Sequence, residues 1–339
     1  MRLFSTEQVS KWHPDKYADQ ISDAIVALAV SKNKNARVAV ETMVKDNIVI
    51  VAGEIGKVVL LPDEIYNAAL SVANELDYKI ETFHNYIGIQ SSEINHAVDN
   101  DKDLGAGDQG MMYGYACNES ISYLPYGFDL ANRIIFILEQ DTINNKNTIF
   151  KGDAKTQVTV DLDTGDVHTI LVSACHKEGL TLNEVQTYIK KLLIDHNINS
   201  KNWLINPAGL WTYGGPSADS GLTGRKIVAD QYGGYVPVGG GSFSGKDLSK
   251  VDRSGAYFAR NLAVYLLKHF DVDSVEIQIA YAIGVAEPIS VNIKTNIPHM
   301  DKYIEEYVKT NIDFRVSKMI ESLGDIDYRW LAKGCHYRA

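Results

Sequence analysis

The sequence predicts an α+β fold built from three similar domains. One pattern of apolar residues, indicating helix, strand, strand and helix, occurs three times at intervals of about 120 residues. A short turn segment separates the two strands of each copy, which predicts a hairpin. Sequential hairpins flanked by helices are typical of α+β domains. With 339 residues, 45% of them hydrophobic and 22% charged, the chain is long enough for two or three domains with their own cores.

The first copy lies in the N-terminal part of the chain. Apolar residues recur at helical spacing over 21–29, and a hairpin over 38–55 turns near 46–47. Apolar positions over 65–76 predict the second helix.

The later copies repeat this order of helix, hairpin and helix. Strands flanked by helices on one face leave the other sheet face in need of cover, which predicts a homo-oligomer. The predicted elements are helices over 130–138 and 185–192 around a hairpin over 158–174 that turns at 163–165, then a helix over 259–266, strands over 275–293 interrupted at 284–288, and a helix from Met300.

These copies divide the chain into domains over 1–90, 105–219 and 220–339. The segment between the first two, residues 91–104 (SSEINHAVDNDKDL), is polar, acidic and poor in apolar anchors. It predicts a mobile surface loop, either a lid over a site or a linker.

Charge and cysteine content limit the function. A formal net charge of −10 argues against a general affinity for nucleic acid, so local clusters of cations point to a small anionic ligand or internal ion pairs. Cys117, Cys175 and Cys335 are odd in number and widely spaced, as expected of reduced thiols. The N-terminus lacks a signal-peptide pattern, and no run of about 18 apolar residues predicts a membrane span. We therefore expect a cytoplasmic protein.

The segment 239–253, GGGSFSGKDLSKVDR, has the composition of a phosphate-binding segment. Three glycines let the backbone approach an anion closely, and Lys246, Lys250 and Arg253 follow at about one-turn spacing. The segment fits G-x-x-x-x-G-K, but Asp247 occupies the position of the hydroxyl residue that a Walker A loop uses for magnesium. A glycine-rich turn before a solvated basic helix is the alternative interpretation.

A second candidate segment is His13-Pro14-Asp15-Lys16. Pro14 suits the first turn of a helix, which would put His13 and Asp15 at the positive end of its macrodipole. An anion or a phosphate-bound metal would be favoured there. Ordinary helix capping is the structural alternative.

Three further segments are rich in glycine and charge at the domain boundaries. Together with Lys246 and Lys250 they supply cations, carboxylates and an aromatic platform at Trp211, as a metal-bound polyphosphate nucleotide requires. The segments are GAGDQG at 105–110, Asp153-Ala154-Lys155, and GGPSADSGLTGRK at 214–226.

With these motifs the chain resembles the S-adenosylmethionine synthetases (methionine adenosyltransferases) along nearly its full length. HPDK, GAGDQG, DAK, GLTGRK and GGGSFSGKD occur in the order and approximate spacing of that family. The resemblance implies three interleaved α+β domains with pseudo-threefold symmetry and active sites shared across a dimer or a dimer of dimers. It also implies ATP and L-methionine as substrates. Methionine sulfur attacks C5′ of ATP, and the released triphosphate is hydrolysed to pyrophosphate and phosphate.

The resemblance further implies roles for individual residues around ATP. His13 stabilises the developing charge on the bridging oxygen of the departing triphosphate. The implied ATP-binding set is His13, Asp153, Lys155, Trp211, Asp219, Arg225, Lys226, Ser242 and Lys246, with Lys155, Arg225 and Lys246 also catalytic through the phosphates.

Methionine and metal ions have their own implied residues. Glu54, Gln90, Asp108, Asp219 and Lys250 match the methionine pocket. The implied metal ligands are Asp15 for Mg²⁺, Asp252 either as a second Mg²⁺ ligand or as a helix N-cap, and Glu41 for K⁺. Because a thioether is a neutral nucleophile that needs no general base, positioning and leaving-group electrostatics should supply most of the rate.

The chain departs from the family pattern near 209–211, where Gly-Leu-Trp replaces Gly-Arg-Phe, at Ser242 in place of alanine, and in its C-terminal segment. Two alternatives therefore accompany the adenosyltransferase hypothesis. One is a P-loop phosphotransferase based on 240–246. The other is a family member that binds nucleotide without turnover.

Overall fold

A computed structural model describes residues 1–90 and 103–338 of the chain. The predicted mobile loop over 91–104 lies outside the described residues except for its last two positions. In chain order the strands are β1 (Leu3–Val9), β2 (Arg37–Lys45), β3 (Ile48–Gly56), β4 (Thr82–Ile89), β5 (Gly110–Cys117), β6 (Phe150–Asp161), β7 (Val167–His176), β8 (Asn202–Ile205), β9 (Gly221–Leu222), β10 (Ser274–Tyr281) and β11 (Ser290–Thr295). The helices are α1 (Pro14–Lys32), α2 (Pro62–Glu75), α3 (Tyr126–Asn144), α4 (Leu182–Asp195), α5 (Val251–His269), α6 (Pro298–Asn311), α7 (Val316–Leu323) and α8 (Tyr328–Leu331).

The threefold repeat of helix, hairpin and helix is confirmed. It consists of α1-β2-β3-α2, then α3-β6-β7-α4, then α5-β10-β11-α6. The hairpins turn where the sequence predicts. Asp46 and Gly165 adopt positive φ angles of 51° and 77° at the first two turns, a conformation that Gly and Asp tolerate better than most residues.

The strands assemble into three sheets, ordered β4-β3-β2-β9, β1-β6-β7-β8 and β11-β10-β5. Every sheet contains one hairpin of the repeat and one strand from elsewhere in the chain: β9, β1 and β5 respectively. In the first two sheets β4 and β8 add in parallel to β3 and β7. The three units are therefore interleaved, and this arrangement brings distant segments together.

Three hydrophobic cores lie between the sheets and the helices that cover them. Helix α1 is the most enclosed element, because every residue over 14–26 is buried. It packs against α2, the inner face of β2, β9 and α8. Since α1 contacts segments from both ends of the chain, its N-terminal half lies between loops of the first and third units.

The first sheet has an outward face whose side chains are exposed or partly exposed. In β2 the residues alternate, so that Val40, Thr42 and Val44 are buried whereas Glu41 and Met43 face outward. Apolar side chains on the neighbouring strands, including Ile48 and Tyr86, continue this outward surface. Among the described residues, no helix is long and apolar enough to cross a membrane.

Candidate active site

The candidate site begins at the N-terminus of α1. His13 is the N-cap of the helix, Pro14 is its first residue, and the Asp15 N–H donates to His13 Nδ1 at 3.1 Å. The capping interpretation is therefore confirmed, and it does not exclude a role in binding. The cap leaves the ring with a defined tautomer: because Nδ1 accepts a hydrogen bond, Nε2 carries the proton.

Cations from the 214–226 segment surround Asp15. Lys226 Nζ lies 2.5 Å from Asp15 Oδ2, and Arg225 Nη1 lies 3.7 Å from Oδ1. The Leu222 N–H donates to Oδ1 at 3.0 Å. Burial raises the pKa of Asp15, but the hydrogen bonds from Lys226 and Leu222 outweigh burial, so the net shift is downward. Asp15 is thus held as a carboxylate.

His13 is uncharged in this environment. Burial, together with the positive charges of Lys226 and Lys155, lowers the pKa of His13 to about 3. Lys155 lies on β6, which pairs with β1 so that Lys155 is opposite Val9, four residues before His13, although the two segments are more than a hundred residues apart in sequence. His13, Asp15, Lys155, Arg225 and Lys226 therefore form one cluster, the α1 cluster.

A second cluster forms around the loop that carries Lys246. Lys246 Nζ lies 2.6 Å from Asp252 Oδ2. Gly241 packs so closely on the Asp252 carboxylate that a Cβ there would overlap it. Asp252 is the second residue of α5 and Lys250 is the N-cap, so the alternative of Asp252 as N-cap is wrong. We call Lys246, Asp252 and Gly241 the glycine-loop cluster.

The Walker A interpretation is also wrong. A P-loop connects a strand directly to a helix, but among the described residues no strand immediately precedes 239–246, and α5 begins only at Val251. Asp247 is buried, and its carboxylate accepts the N–H groups of Val38 at 2.6 Å and Ser249 at 2.8 Å. It fixes the loop to β2 in place of binding a metal ion.

Arg253 differs from the sequence prediction as well. Its guanidinium is fully buried and forms a bidentate ion pair with Asp23 of α1 at 2.7 and 2.8 Å. It is therefore not a cation at the surface of the phosphate site. Asp15, Asp19 and Asp23 follow one another at intervals of four residues on α1. Their carboxylates accept the backbone N–H groups of Leu222, Gly224 and Gly245, respectively.

Sequence reasoning missed Asp19 and Asp23. Both are fully buried, and each accepts a backbone N–H from a loop that carries predicted phosphate-binding cations. The available signal was three acids at helical spacing on a helix whose other residues are largely apolar. Their loop partners, more than 200 residues away, gave no local signal.

A third group of predicted residues lies at the end of β7. Asp153 is buried, and its Oδ2 accepts the Gly215 N–H at 2.7 Å, whereas its Oδ1 has no partner among the described residues. Burial raises the pKa of Asp153 to about 6, with Asp219 adding to the rise and Lys155 opposing it. Trp211 precedes Gly215 by four residues, and it donates its backbone N–H to His176 Nε2 and its indole N–H to the Tyr213 carbonyl.

Two close contacts made by glycines bring further predicted segments together. A Cβ on Gly224 would lie 2.5 Å from Ser242 Cβ, so the loop of Arg225 touches the glycine loop. A Cβ on Gly107 would lie 3.4 Å from Lys250 Cδ, which brings the GAGDQG segment to the start of α5. Asp108, in that segment, is exposed and accepts the Gln109 N–H.

The remaining predicted residues lie on or beside the first sheet. This sheet meets the glycine-loop cluster, because Ala39 of β2 pairs both with Lys246 in an antiparallel bridge and with Glu54 of β3. Glu41 and Glu54 face outward on β2 and β3. Gln90 follows β4, is buried beside Gly56, and its Oε1 has no partner among the described residues. Across residues 1–90 and 103–338, no group of three or more His, Cys, Asp or Glu side chains could hold a metal ion.

The geometry defines a site for a highly charged anion. Four cations from three distant segments, Lys155, Arg225–Lys226 and Lys246, lie in two connected clusters, and each of the two carboxylates in those clusters is paired to a lysine. Ammonium groups on flexible stems can exchange a carboxylate for a phosphate oxygen without losing their charge compensation. A polyphosphate substrate matches this arrangement.

The chain matches the three domain models of S-adenosylmethionine synthetase: the N-terminal domain over 1–101, the central domain over 103–211 and the C-terminal domain over 213–338. It therefore belongs to the S-adenosylmethionine synthetase family, a family of metal-using enzymes. The predicted family, fold and enzyme class are confirmed.

Individual relatives agree with this membership. An S-adenosylmethionine synthase from Helicobacter pylori strain J99 is 39% identical, with 95% of this chain and 88% of the relative covered. The synthase of Mycoplasma capricolum is 40% identical at the same coverage. A solved structure described as an unusual S-adenosylmethionine synthetase from Campylobacter jejuni superposes with a TM-score of 0.88 at 32% identity, covering 98% of this chain and 94% of that chain.

Proposed function

We propose that the protein transfers the adenosyl group of ATP to the sulfur of L-methionine and then cleaves the released triphosphate to pyrophosphate and phosphate. The observation that carries this proposal is the convergence of His13 with Lys155, Arg225 and Lys226 at the N-terminus of α1. Attack at C5′ leaves a triphosphate whose charge increases in the transition state. Preorganised donors aimed at that developing charge lower the barrier.

His13 acts as a neutral hydrogen-bond donor. With its pKa lowered to about 3 and Nδ1 occupied by the Asp15 N–H, the ring offers the Nε2 proton. A donor to the oxygen between C5′ and the α-phosphate stabilises the leaving group as the carbon–oxygen bond breaks. No proton is removed from methionine, because its thioether sulfur already carries the lone pair that forms the new bond.

The phosphates are bound by the paired lysines. Lys226 exchanges Asp15 for a phosphate oxygen, and Lys246 exchanges Asp252 in the same way. Ser242 and Arg225 complete the phosphate contacts on the facing loop. The released carboxylates are then available to a cation that accompanies the phosphates.

The donor set fits Mg²⁺. This ion commonly binds one or two protein carboxylates and takes its other ligands from phosphates and water, so the two separate acids suffice. Asp15 and Asp252 would hold it, and the close packing of Gly241 keeps a side chain out of the space that Asp252 uses. A cation bound there would neutralise phosphate charge. For K⁺ we propose Glu41 as one ligand, with further oxygen ligands supplied by another subunit.

The remaining predicted residues are proposed to bind methionine and the adenosine moiety of ATP. We assign Glu54, Gln90, Asp108 and Lys250 to methionine, with Asp219 between the two substrates. The partnerless Oε1 of Gln90 is a buried acceptor that a substrate donor would satisfy.

Trp211 supplies the face for adenine, and the partnerless Oδ1 of Asp153 is a second buried acceptor. Supporting these roles, Asp153 interacts electrostatically with Lys155 and with Asp219.

A homodimer, alone or paired as a dimer of dimers, completes the proposed site. The outward face of the first sheet carries Glu41 and Glu54 among apolar side chains that helices leave uncovered. Covering that face with a second copy would remove apolar surface from water and bring both acids to the partner's phosphate clusters. The three buried free thiols support a cytoplasmic location.

The experiment mixes the protein with ATP, methionine, Mg²⁺ and K⁺ and identifies products by mass spectrometry, with omission of methionine or K⁺ as controls. We expect methionine-dependent S-adenosylmethionine together with pyrophosphate and phosphate. ADP as the product would favour a phosphotransferase, and ATP binding without any product would identify a non-catalytic family member.

A further inference from the structure

A buried ion pair lies directly beneath the loop that carries Lys246. Asp23 of α1 and Arg253 of α5 are both fully buried, and their carboxylate and guanidinium groups meet in two bonds of 2.7 and 2.8 Å. Arg253 Nε also donates to the Tyr257 hydroxyl at 3.0 Å. The guanidinium lies over the ring of Tyr328, 4.6 Å from its centroid. Neither charge reaches the phosphate site.

The pair bonds to the loop through backbone atoms on both sides of Lys246. Asp23 Oδ1 accepts the Gly245 N–H at 2.9 Å. Arg253 Nη1 donates to the carbonyls of Phe243 and Lys246, each at 3.0 Å. Three backbone groups, the Phe243 and Lys246 carbonyls and the Gly245 N–H, are therefore fixed by one rigid, planar group and its counter-ion.

The same loop is fixed from the sheet side. Gly245 has a φ of 85°, and its carbonyl accepts the Val40 N–H at 2.9 Å. A Cβ on Gly245 would overlap the Val40 carbonyl, so the backbone of β2 passes immediately beside the loop. The Lys246 backbone lies between β2 and the ion pair, and its side chain is the part left free to change partners.

We propose that Asp23 and Arg253 are positioning residues for adenosyl transfer, which set the place of the Lys246 ammonium at the departing triphosphate by fixing its backbone. This inference rests on the proposed function. A buried ion pair contributes little net stability compared with apolar residues of similar size. Apolar residues at these two positions could therefore replace its contribution to stability, but they could not form the hydrogen bonds that fix the loop. A displacement of about 1 Å in a catalytic group can cost about a hundredfold in rate.

The test replaces both charges at once, in the double variant D23L/R253M. Removing both partners leaves no unpaired buried charge, so we expect the protein to fold. The loop loses its three backbone bonds to the pair, and we expect kcat to fall about a hundredfold with KM for methionine changed less than about threefold.

The matched control is Arg260→Met, two turns further along α5. Arg260 is buried and donates to the carbonyls of Ser122, Tyr115 and Tyr123, away from both clusters. We expect R260M to lower the thermal midpoint and to leave kcat within about threefold of the wild type. Thermal unfolding of every variant shows whether it is folded in the assay.

A double-mutant cycle with K246A separates positioning from a general loss of structure. If the pair acts through Lys246, D23L/R253M adds less than about threefold to the loss caused by K246A. Additive losses would overturn the proposal, as would wild-type kcat in folded D23L/R253M. If that variant does not fold, R253K serves instead, because the three donors of a lysine cannot replace the five hydrogen bonds that Arg253 makes, and we expect at least a tenfold loss.

Failure of the inference is distinguishable from failure of the proposed function. Wild-type protein that makes no S-adenosylmethionine would reject the function. Wild-type turnover with an additive cycle would reject only the positioning role. As a readout without turnover, titration calorimetry with tripolyphosphate should show weaker binding for D23L/R253M and unchanged binding for R260M; equal affinities for both variants would contradict the positioning role.

Discussion

At the scale of single residues, the proposed chemistry depends on a histidine kept neutral among cations. His13 is buried, caps α1 through Nδ1, and has a pKa lowered to about 3 by burial and by Lys226 and Lys155. A protonated ring would repel these lysines and lose its capping acceptor. The neutral ring keeps the cap and still offers one proton at Nε2.

The first prediction concerns His13→Ala. We expect kcat to fall by about 10²- to 10³-fold, the cost of losing one preorganised donor to a developing charge, while the Kd for ATP changes less than about threefold. Single-turnover rates and equilibrium titration measure the two effects. His196→Ala, which removes an exposed histidine, is the control. An equal loss in rate and in ATP affinity would show that His13 acts in ground-state binding.

The second prediction uses Asp153. Its pKa is raised to about 6 by burial, so the folded protein binds a proton that the unfolded chain, with an ordinary aspartate, releases near pH 4. The free energy of unfolding therefore falls as the pH rises from about 4 to 6. Above pH 6, Asp153 has lowered it by about 2–3 kcal/mol in total. Asp153→Asn should remove that cost.

Thermal unfolding at pH 4.5 and 7.5 measures this difference in the ligand-free protein. We expect D153N to exceed the wild type in midpoint by more at pH 7.5 than at pH 4.5. Asp325→Asn, which removes an exposed carboxylate, controls for the loss of one charge. A gain that is independent of pH, or larger at pH 4.5, would contradict the assignment.

At the scale of elements, α1 organises the site through three carboxylates spaced one turn apart. Asp15, Asp19 and Asp23 each accept a backbone N–H from a loop that carries cations. The sequence allowed prediction of the hairpins and their helices because apolar periodicity is local. It did not allow prediction of β4, because Asn85 on the inner face and Tyr86 on the outer face interrupt the apolar–polar alternation in the sequence, although exposed and partly buried positions alternate in the structure. Strand β9 has only two residues, which is too short to show any periodicity.

The third prediction tests the close approach of the glycine loop to β2. Gly245→Ala places a Cβ against the Val40 carbonyl at a φ of 85°, so we expect a loss of stability of at least about 1–3 kcal/mol. Gly240→Ala is the matched control in the same loop, because a Cβ there meets no atom within 4 Å. Chemical denaturation measures both, and equal stability of the two variants would contradict the described loop.

At the scale of the whole molecule, interleaving explains why a site can be built from residues far apart in sequence. Strands β1, β5 and β9 each join a sheet whose hairpin belongs to another part of the chain. The order of the motifs along the chain matches that of a known family, and this resemblance allowed individual site residues to be predicted. Their grouping into an α1 cluster, a glycine-loop cluster and an outward sheet face depends on long-range pairing that no local pattern specifies.

The fourth prediction tests the outward sheet face. Tyr86→Lys puts a charge on β4, where the tyrosine ring is 68% exposed in the single chain, and we expect it to lower the molar mass measured by light scattering. Activity should fall with the oligomer. Phe136→Lys, at a residue of α3 that is 58% exposed, is the control. Unchanged mass for both variants would exclude this face as the dimer interface.

In the mechanism we propose, the converging cations bind an intact triphosphate as it leaves C5′. Rapid quenching of a single turnover, with ATP labelled in its phosphates, tests it most directly. We expect enzyme-bound tripolyphosphate to appear at the same rate as S-adenosylmethionine and then to be converted to pyrophosphate and phosphate. Formation of ADP, or of phosphate before S-adenosylmethionine, would contradict it.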